Sequence, residues 1–177
     1  MKKLFLLLAL ICLNFVVFSQ DKNTVSHSSI SFKIKNLGIN TGGTFGGLSS
    51  EILFKPTDLA ASSINATVET NTINTDNESR DEHLKSEDYF DVARFPKISL
   101  KSVSFKHKGG NNYSGAFNLE IRGKIKLIEL PFTYIDNGTT ESFKGSFKLN
   151  RLDFGVGGSS LILSDEVTVS VEVEKNK

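Results

Sequence analysis

Between Asn77 and Pro96 the chain reads NESRDEHLKSEDYFDVARFP, its most heavily charged stretch, with Arg80, Asp81, Glu82, His83 and Asp88 crowded ahead of an aromatic knot. A histidine among carboxylates could move protons or hold a metal, and a guanidinium could grip a phosphate. A transition metal, however, asks for several convergent His or Cys ligands. The other histidines, His27 and His107, stand in distant segments, so no metal site is expected. Acids on a short exposed helix are normally just solvated. No serine sits in a nucleophile-elbow context and no Gly-rich phosphate loop precedes a helix. No catalytic residue is therefore assigned. An enzyme using Asp81 and His83 is kept as an alternative, to be tested by metal analysis and by His83→Ala.

The elements that must position this stretch are strands. Ile30, Phe32 and Ile34 alternate with polar residues, as do Ile64, Ala66 and Val68, then Phe117, Leu119 and Ile121. Phe143, Phe147 and Leu149 share a face opposite Lys144, Ser146 and Lys148, and Val167, Val169, Val171 and Val173 close the pattern. Period-two alternation marks strands wet on one face and dry on the other. Hairpin-type turn signals separate them at Gly42-Gly43, Gly46-Gly47, Gly109 to Asn112, Asp136 to Gly138 and Gly157-Gly158. The spacing predicts an all-β fold of about eight antiparallel strands, as a barrel or sandwich. A barrel is favoured because it leaves no sheet edge to protect. Asn77 to Phe90 alone breaks the alternation, with Asp76 or Asn77 as helix cap, early acids and an Asp81 to Lys85 pair, and predicts one short surface helix.

The dry face is rich in phenylalanine, and Gly115, Gly123 and Gly145 lie on or beside it. A barrel of about eight strands is either filled by side chains or holds one slender ligand. Rings interleaved with glycines would leave a long apolar slot, and both outcomes stay open at this point.

Lys2 and Lys3 precede an apolar run from Leu4 to Phe18, the pattern of a secretory signal peptide, with cleavage expected between Ser19 and Gln20. That divides the chain into a leader, 1–19, and one domain, 20–177. Cys12 lies in the leader, so the mature chain has no cysteine and must rely on a packed core. The formal charge of the whole chain is +1, and loss of the two leader lysines takes it to −1. This excludes the basic field that nucleic-acid binding requires.

Arg80-Asp81, His83-Leu84, Ser86, Asp88, Phe90-Asp91 and Phe95-Pro96 resemble the signature of the YceI-like family. HSSISFKI from His27, GGTFGGLSSEILF from Gly42, GAFNLEIRG from Gly115, LNRLDFGVG from Leu149 and LSDEVTVSVEVE from Leu163 extend the resemblance in order over nearly all the mature chain. Tyr89 replaces the family's usual Phe, and Asn36 stands where the family usually has His. The GKIKLIELPF stretch from Gly123 also departs from the usual pattern. The resemblance implies a lipocalin-like barrel, exported to the periplasm or secreted, usually homodimeric, and free of a membrane anchor after leader cleavage. It further implies binding of a polyisoprenoid, or a quinone or fatty-acid-like lipid, in an internal channel, with no cofactor. The candidate lining is Phe32, Ile34, Phe45, Phe54, Leu84, Phe90, Phe95, Phe105, Phe117, Leu119, Ile121, Phe143 and Phe147. The charged stretch then reads as a cap, Leu84, Tyr89, Phe90 and Phe95 over the slot and Asp81, Asp88 and Asp91 satisfying backbone donors in its turns. Arg80 and Arg122 are candidates for a lipid head group or for structural pairing, and Arg151 has the same two readings. The competing reading is a filled, ligand-free barrel acting as an interaction or stress-response module. Four Asn-X-Ser/Thr triplets, from Asn65, Asn77, Asn112 and Asn137, are read as chance.

Overall fold

The computed structural model describes residues 24–177, so the expected leader and its cleavage point lie outside the described residues. Nine strands follow one another as β1 Val25–Asn36, β2 Ile39–Phe45, β3 Ser49–Leu53, β4 Ser63–Glu69, β5 Lys97–Gly109, β6 Asn112–Ile121, β7 Lys124–Asp136, β8 Thr140–Asn150 and β9 Leu163–Asn176. All pair antiparallel in one curled sheet of order β2-β1-β9-β8-β7-β6-β5-β4-β3. The two edge strands, β2 and β3, are consecutive in the chain but do not pair with each other, so the sheet is a half-barrel left open between them and keeps the edges that a closed barrel was expected to remove. Gly46 to Leu48 connects the two. Gly47 has φ 65° there, and a Cβ would stand 2.4 Å from Glu69 Cγ, so only glycine allows the close approach.

The alternation carries into the structure as expected. In β6 and β7, Phe117, Leu119, Ile121, Leu130, Phe132 and Tyr134 are buried inside the curl, and intervening side chains such as Asn118, Glu129 and Ile135 face out. Gly42 and Gly43, however, lie within β2 rather than in a turn. The hairpins missed by sequence are Leu37-Gly38 and Arg122-Gly123, where Leu37 and Arg122 take φ 51°. Side chains seldom accept such angles, so neither pair looks like a turn. Arg122 is held by donating to the carbonyls of Gly155 and of Glu87, the latter at 2.7 Å.

The ladder between β7 and β8 runs only from Phe132 to Asp136 on β7. Pro131 has no N–H to donate, and above it the strands part. The 3-10 turn Arg151–Phe154 closes this upper region with Phe154, 1% exposed.

One helix, α1 Glu78–Lys85, interrupts the sheet. Asn77 caps it, accepting from the Arg80 N–H at 2.9 Å. It stops at Ser86, whose hydroxyl donates to the His83 carbonyl at 2.7 Å. The expected Asp81 to Lys85 pair does not form. Lys85 pairs with Glu82 at 2.8 Å, because Asp81 is taken by the backbone and hydroxyl of Thr75, at 2.9 and 2.5 Å.

Candidate lipid-binding cavity

The interior has a filled end and a hollow end. At the end formed by the β5–β6 and β7–β8 turns, Ile52, Phe54, Tyr113, Phe132, Tyr134, Phe143 and Val173 pack into one buried cluster. Phe54 sits at its centre, with the rings of Phe105, Tyr113, Phe132, Tyr134 and Phe143 all 4.9 to 5.7 Å away. Edge-to-face arrangements of this kind fill space without voids. Polar groups at this end are also paired. Glu141 accepts from the Tyr134 hydroxyl at 2.8 Å and meets Lys175 at 2.6 Å. Burial and the Glu141 carboxylate together push the Tyr134 phenol well above the ordinary tyrosine range.

In a second cluster, Leu119, Ile121, Phe147, Phe154 and Val156 form the floor and one wall of the hollow end, with Phe117 and Leu130 packed behind them. Above it lies a cavity of about 350 Å³. Ile30, Phe32 and Ile34 of β1, Val68 of β4, Ile98 and Leu100 of β5, and Val167, Val169 and Val171 of β9 complete its walls. The volume and the aliphatic lining suit an apolar chain.

Eight candidate lining residues face this cavity, namely Phe32, Ile34, Phe45, Leu84, Phe90, Leu119, Ile121 and Phe147. Five others do not. Phe54 and Phe143 belong to the filled end, and Phe105 bridges the two clusters. Phe117, 1% exposed, lies beneath the floor, and Phe95 covers Gly123 from outside the cavity. The expectation that glycines leave a slot is corrected by the same rings. A Cβ on Gly115 would fall 2.3 Å from the Phe117 ring, and one on Gly145 would meet the Pro131 carbonyl at 2.6 Å. Those glycine spaces are filled. Val167, Val169 and Val171 line the cavity, whereas Val173 on the same face of β9 belongs to the packed end.

The charged stretch contributes a cap. Phe90 reaches over the cavity and sets its ring edge-on to Phe45 at 5.4 Å, and Phe45 in turn contacts Phe32 at 5.7 Å. His83 packs edge-on against Tyr89 at 4.8 Å. Asp81 is spent on Thr75, so the two do not form an acid–base pair, and no cluster of three or more His, Cys, Asp or Glu side chains suited to a metal exists among the described residues. Asp91 pairs with Arg94 at 3.4 Å, and Asp88 accepts the Gly157 N–H through its backbone carbonyl, not its carboxylate.

The three arginines separate cleanly. Arg122 ties turns together away from the cavity, as described above, which corrects its head-group reading. Arg151 lines the cavity but is 4% exposed and spends its nitrogens on the carbonyls of Ser164 and Val156 and on Asp165. Arg80 donates Nε to the Thr75 hydroxyl at 2.8 Å and Nη2 to the Thr75 carbonyl at 2.6 Å. Its Nη1 makes no hydrogen bond among the described residues, and the side chain borders the cavity. Asn36 also borders it, with a buried Oδ1 that has no partner.

Comparison with known proteins agrees with this architecture. The chain is similar to BcnA of Burkholderia cenocepacia, with a TM-score of 0.80 and 26% identity over 83% of this chain and 95% of the other. It is also similar to a YceI protein of Campylobacter jejuni, with a TM-score of 0.71 and 26% identity over 78% and 86% of the two chains. A polyisoprenoid-binding domain from Saccharophagus degradans shares the fold, with a TM-score of 0.70 over 86% and 96% of the chains at 13% identity. Among curated relatives, a UPF0312 protein of an Enterobacter species is 30% identical over 155 residues, 84% of this chain and 80% of the relative. A UPF0312 protein of Vibrio cholerae is 29% identical over 147 residues, 77% and 78% of the two. The YceI-like domain model matches residues 22–175, so the chain belongs to the YceI-like family, whose lipocalin-like antiparallel fold it shares.

Proposed function

We propose that this protein binds a long-chain lipid, a polyisoprenoid or a similar amphiphile such as a quinone or fatty-acid derivative, in the hollow end of its barrel, and carries or sequesters it after export. The observation that supports the reading is the cavity itself, an apolar hollow bounded by aliphatic and aromatic walls in a fold whose other end is packed solid. Desolvating a guest there needs no polar contact. About ten methylenes at about 0.8 kcal/mol each contribute roughly 8 kcal/mol, enough for micromolar binding before ordering costs. In this reading Arg80, with Nη1 uncommitted at the cavity border, meets a phosphate-bearing head. Binding rather than catalysis suits a site where His83 and Asp81 are engaged apart from each other.

Export to the periplasm or out of the cell is part of the proposal, and the leader-like N-terminus supports it. Homodimer formation is part of the same proposal.

Native mass spectrometry of the mature protein purified without detergent, joined to organic extraction of the same sample, tests the reading. A discrete adduct extracting as a polyisoprenoid, quinone or acyl lipid is the expected result. A clean apo mass that stays unchanged after incubation with such lipids would overturn it, leaving a ligand-free module.

A further inference from the structure

The hollow end carries an apolar rim. Leu37 and Ile39 are each 70% exposed, Leu161 is fully exposed and Ile162 is 54% exposed. Leu37 lies in the β1–β2 turn, Ile39 begins β2, and Leu161 and Ile162 lie in the β8–β9 connection; the two segments are joined by the Leu37 N–H donating to the Ile162 carbonyl at 2.8 Å. Their chain neighbours Asn36, Thr41 and Leu163 line the cavity. The rim is thus continuous with the hollow and not a separate patch.

Scattered exposed apolar residues need no explanation, but four on adjoining loops at a cavity border do. The charge pattern narrows what covers them. From Asn36 to Ser50 and from Phe154 to Ser164 the chain carries no charged residue, although 23% of its residues are charged. Fast, specific capture of a charged protein surface draws on complementary charge, which these loops do not offer. An uncharged apolar rim instead fits the neutral, water-poor boundary of a bilayer. No helix among the described residues is long and apolar enough to cross a membrane, so the contact would be made from one side through loops.

We infer that Leu37, Ile39, Leu161 and Ile162 form a membrane-docking rim that seats the cavity border on a lipid bilayer, so that a guest passes between bilayer and cavity without crossing water. The transfer role rests on the lipid-carrier reading; the docking itself does not. An apolar chain leaving a membrane for an enclosed site meets its main barrier in water, and a rim that displaces interfacial water removes that barrier.

The chain contains no tryptophan, so Leu161→Trp in the chain from Gln20, which retains every described element, installs a single reporter. With neutral phosphatidylcholine vesicles its emission should shift to the blue, and the shift should persist at high salt because no ion pairs are involved. In flotation, Leu161→Asp and Ile162→Asp should each lower vesicle association by at least about tenfold, the loss expected from withdrawing one inserted aliphatic side chain. Leu127→Asp, altering an exposed apolar residue on the outer face of β7, should leave association unchanged. Absence of vesicle association by the unaltered chain, or an equal loss in Leu127→Asp, would overturn the rim. So would a dimer that Leu161→Asp dissociates in sedimentation while vesicle binding stays intact, since a second copy would then be the occupant. Flotation with no lipid adduct in native mass spectrometry would refute the carrier reading and leave the docking face standing.

Discussion

Filling the cavity should separate guest binding from folding. Val169 lies on β9 between Phe32 of β1 and Phe147 of β8, its register partners, and its side chain borders the hollow. Val169→Phe adds four side-chain carbons in that direction. If they occupy space otherwise taken by guest, about four guest carbons are excluded, and at about 0.8 kcal/mol per methylene the loss is about 3 kcal/mol, or roughly 200-fold in affinity. Overpacking a filled core would cost about 1–3 kcal/mol of stability. A hollow of about 350 Å³ leaves room for the ring, so the denaturant midpoint of lipid-free protein should hold or rise. The assay pairs adduct occupancy by native mass spectrometry with urea unfolding of delipidated samples. A variant that keeps its full lipid load, or that loses stability on the scale of an overpacked core, would refute the assignment of this space to a guest.

Phe117→Ala should behave in the opposite way, costing about 3–5 kcal/mol in urea unfolding, because its ring is fully packed beneath the cavity floor and fills the space beside Gly115. Arg122→Ala removes the ties to the Gly155 and Glu87 carbonyls and should cost about 2 kcal/mol, with lipid occupancy per folded molecule unchanged by native mass spectrometry. Glu141→Ala removes the Lys175 ion pair and the acceptor of the Tyr134 hydroxyl at the packed end, and a loss of about 2 kcal/mol in the same unfolding assay is expected. Alkaline stability gives a signed test at Tyr134. Its phenol stays protonated in the fold above the ordinary tyrosine value, whereas the unfolded chain ionises there, so stability is full below that value and falls as pH rises past it. Tyr134→Phe should flatten this fall in denaturant midpoints measured across the alkaline range.

Alternation of side chains made the strands legible, because a half-buried strand repeats every two residues whatever surrounds it. It could not say how far along the barrel axis each inward residue lies. Phe143 and Phe147 occupy the same face of β8, yet one joins the packed aromatic cluster and the other faces the hollow. The difference is set by register, where Phe143 stands opposite Val173 and Phe147 opposite Val169, and register depends on turns and bulges far from either residue. The missed turns have a similar cause. Leu37-Gly38 and Arg122-Gly123 place a bulky residue at positive φ, and at Arg122 the cost is offset by two carbonyl contacts that exist only once the loops have assembled.

The charged stretch shows why residue type alone decides no chemistry. His83, Asp81 and Arg80 sit within one turn of α1, and that proximity is what kept an enzyme open as an alternative. A helix points neighbouring side chains in different directions, and here each finds another partner. Asp81 turns back to Thr75, His83 lies on Tyr89, and Arg80 clamps the Thr75 carbonyl while keeping Nη1 uncommitted. Polar groups engaged in this way order the α1 segment, and that order lets Leu84 and Phe90 cover an apolar hollow without leaving backbone donors unsatisfied. A cap built mainly of apolar residues would gain more from collapsing into the hollow than from spanning it. The heavy charge of Asn77 to Pro96 is thus a physical condition for keeping the space above Leu119 and Phe147 open.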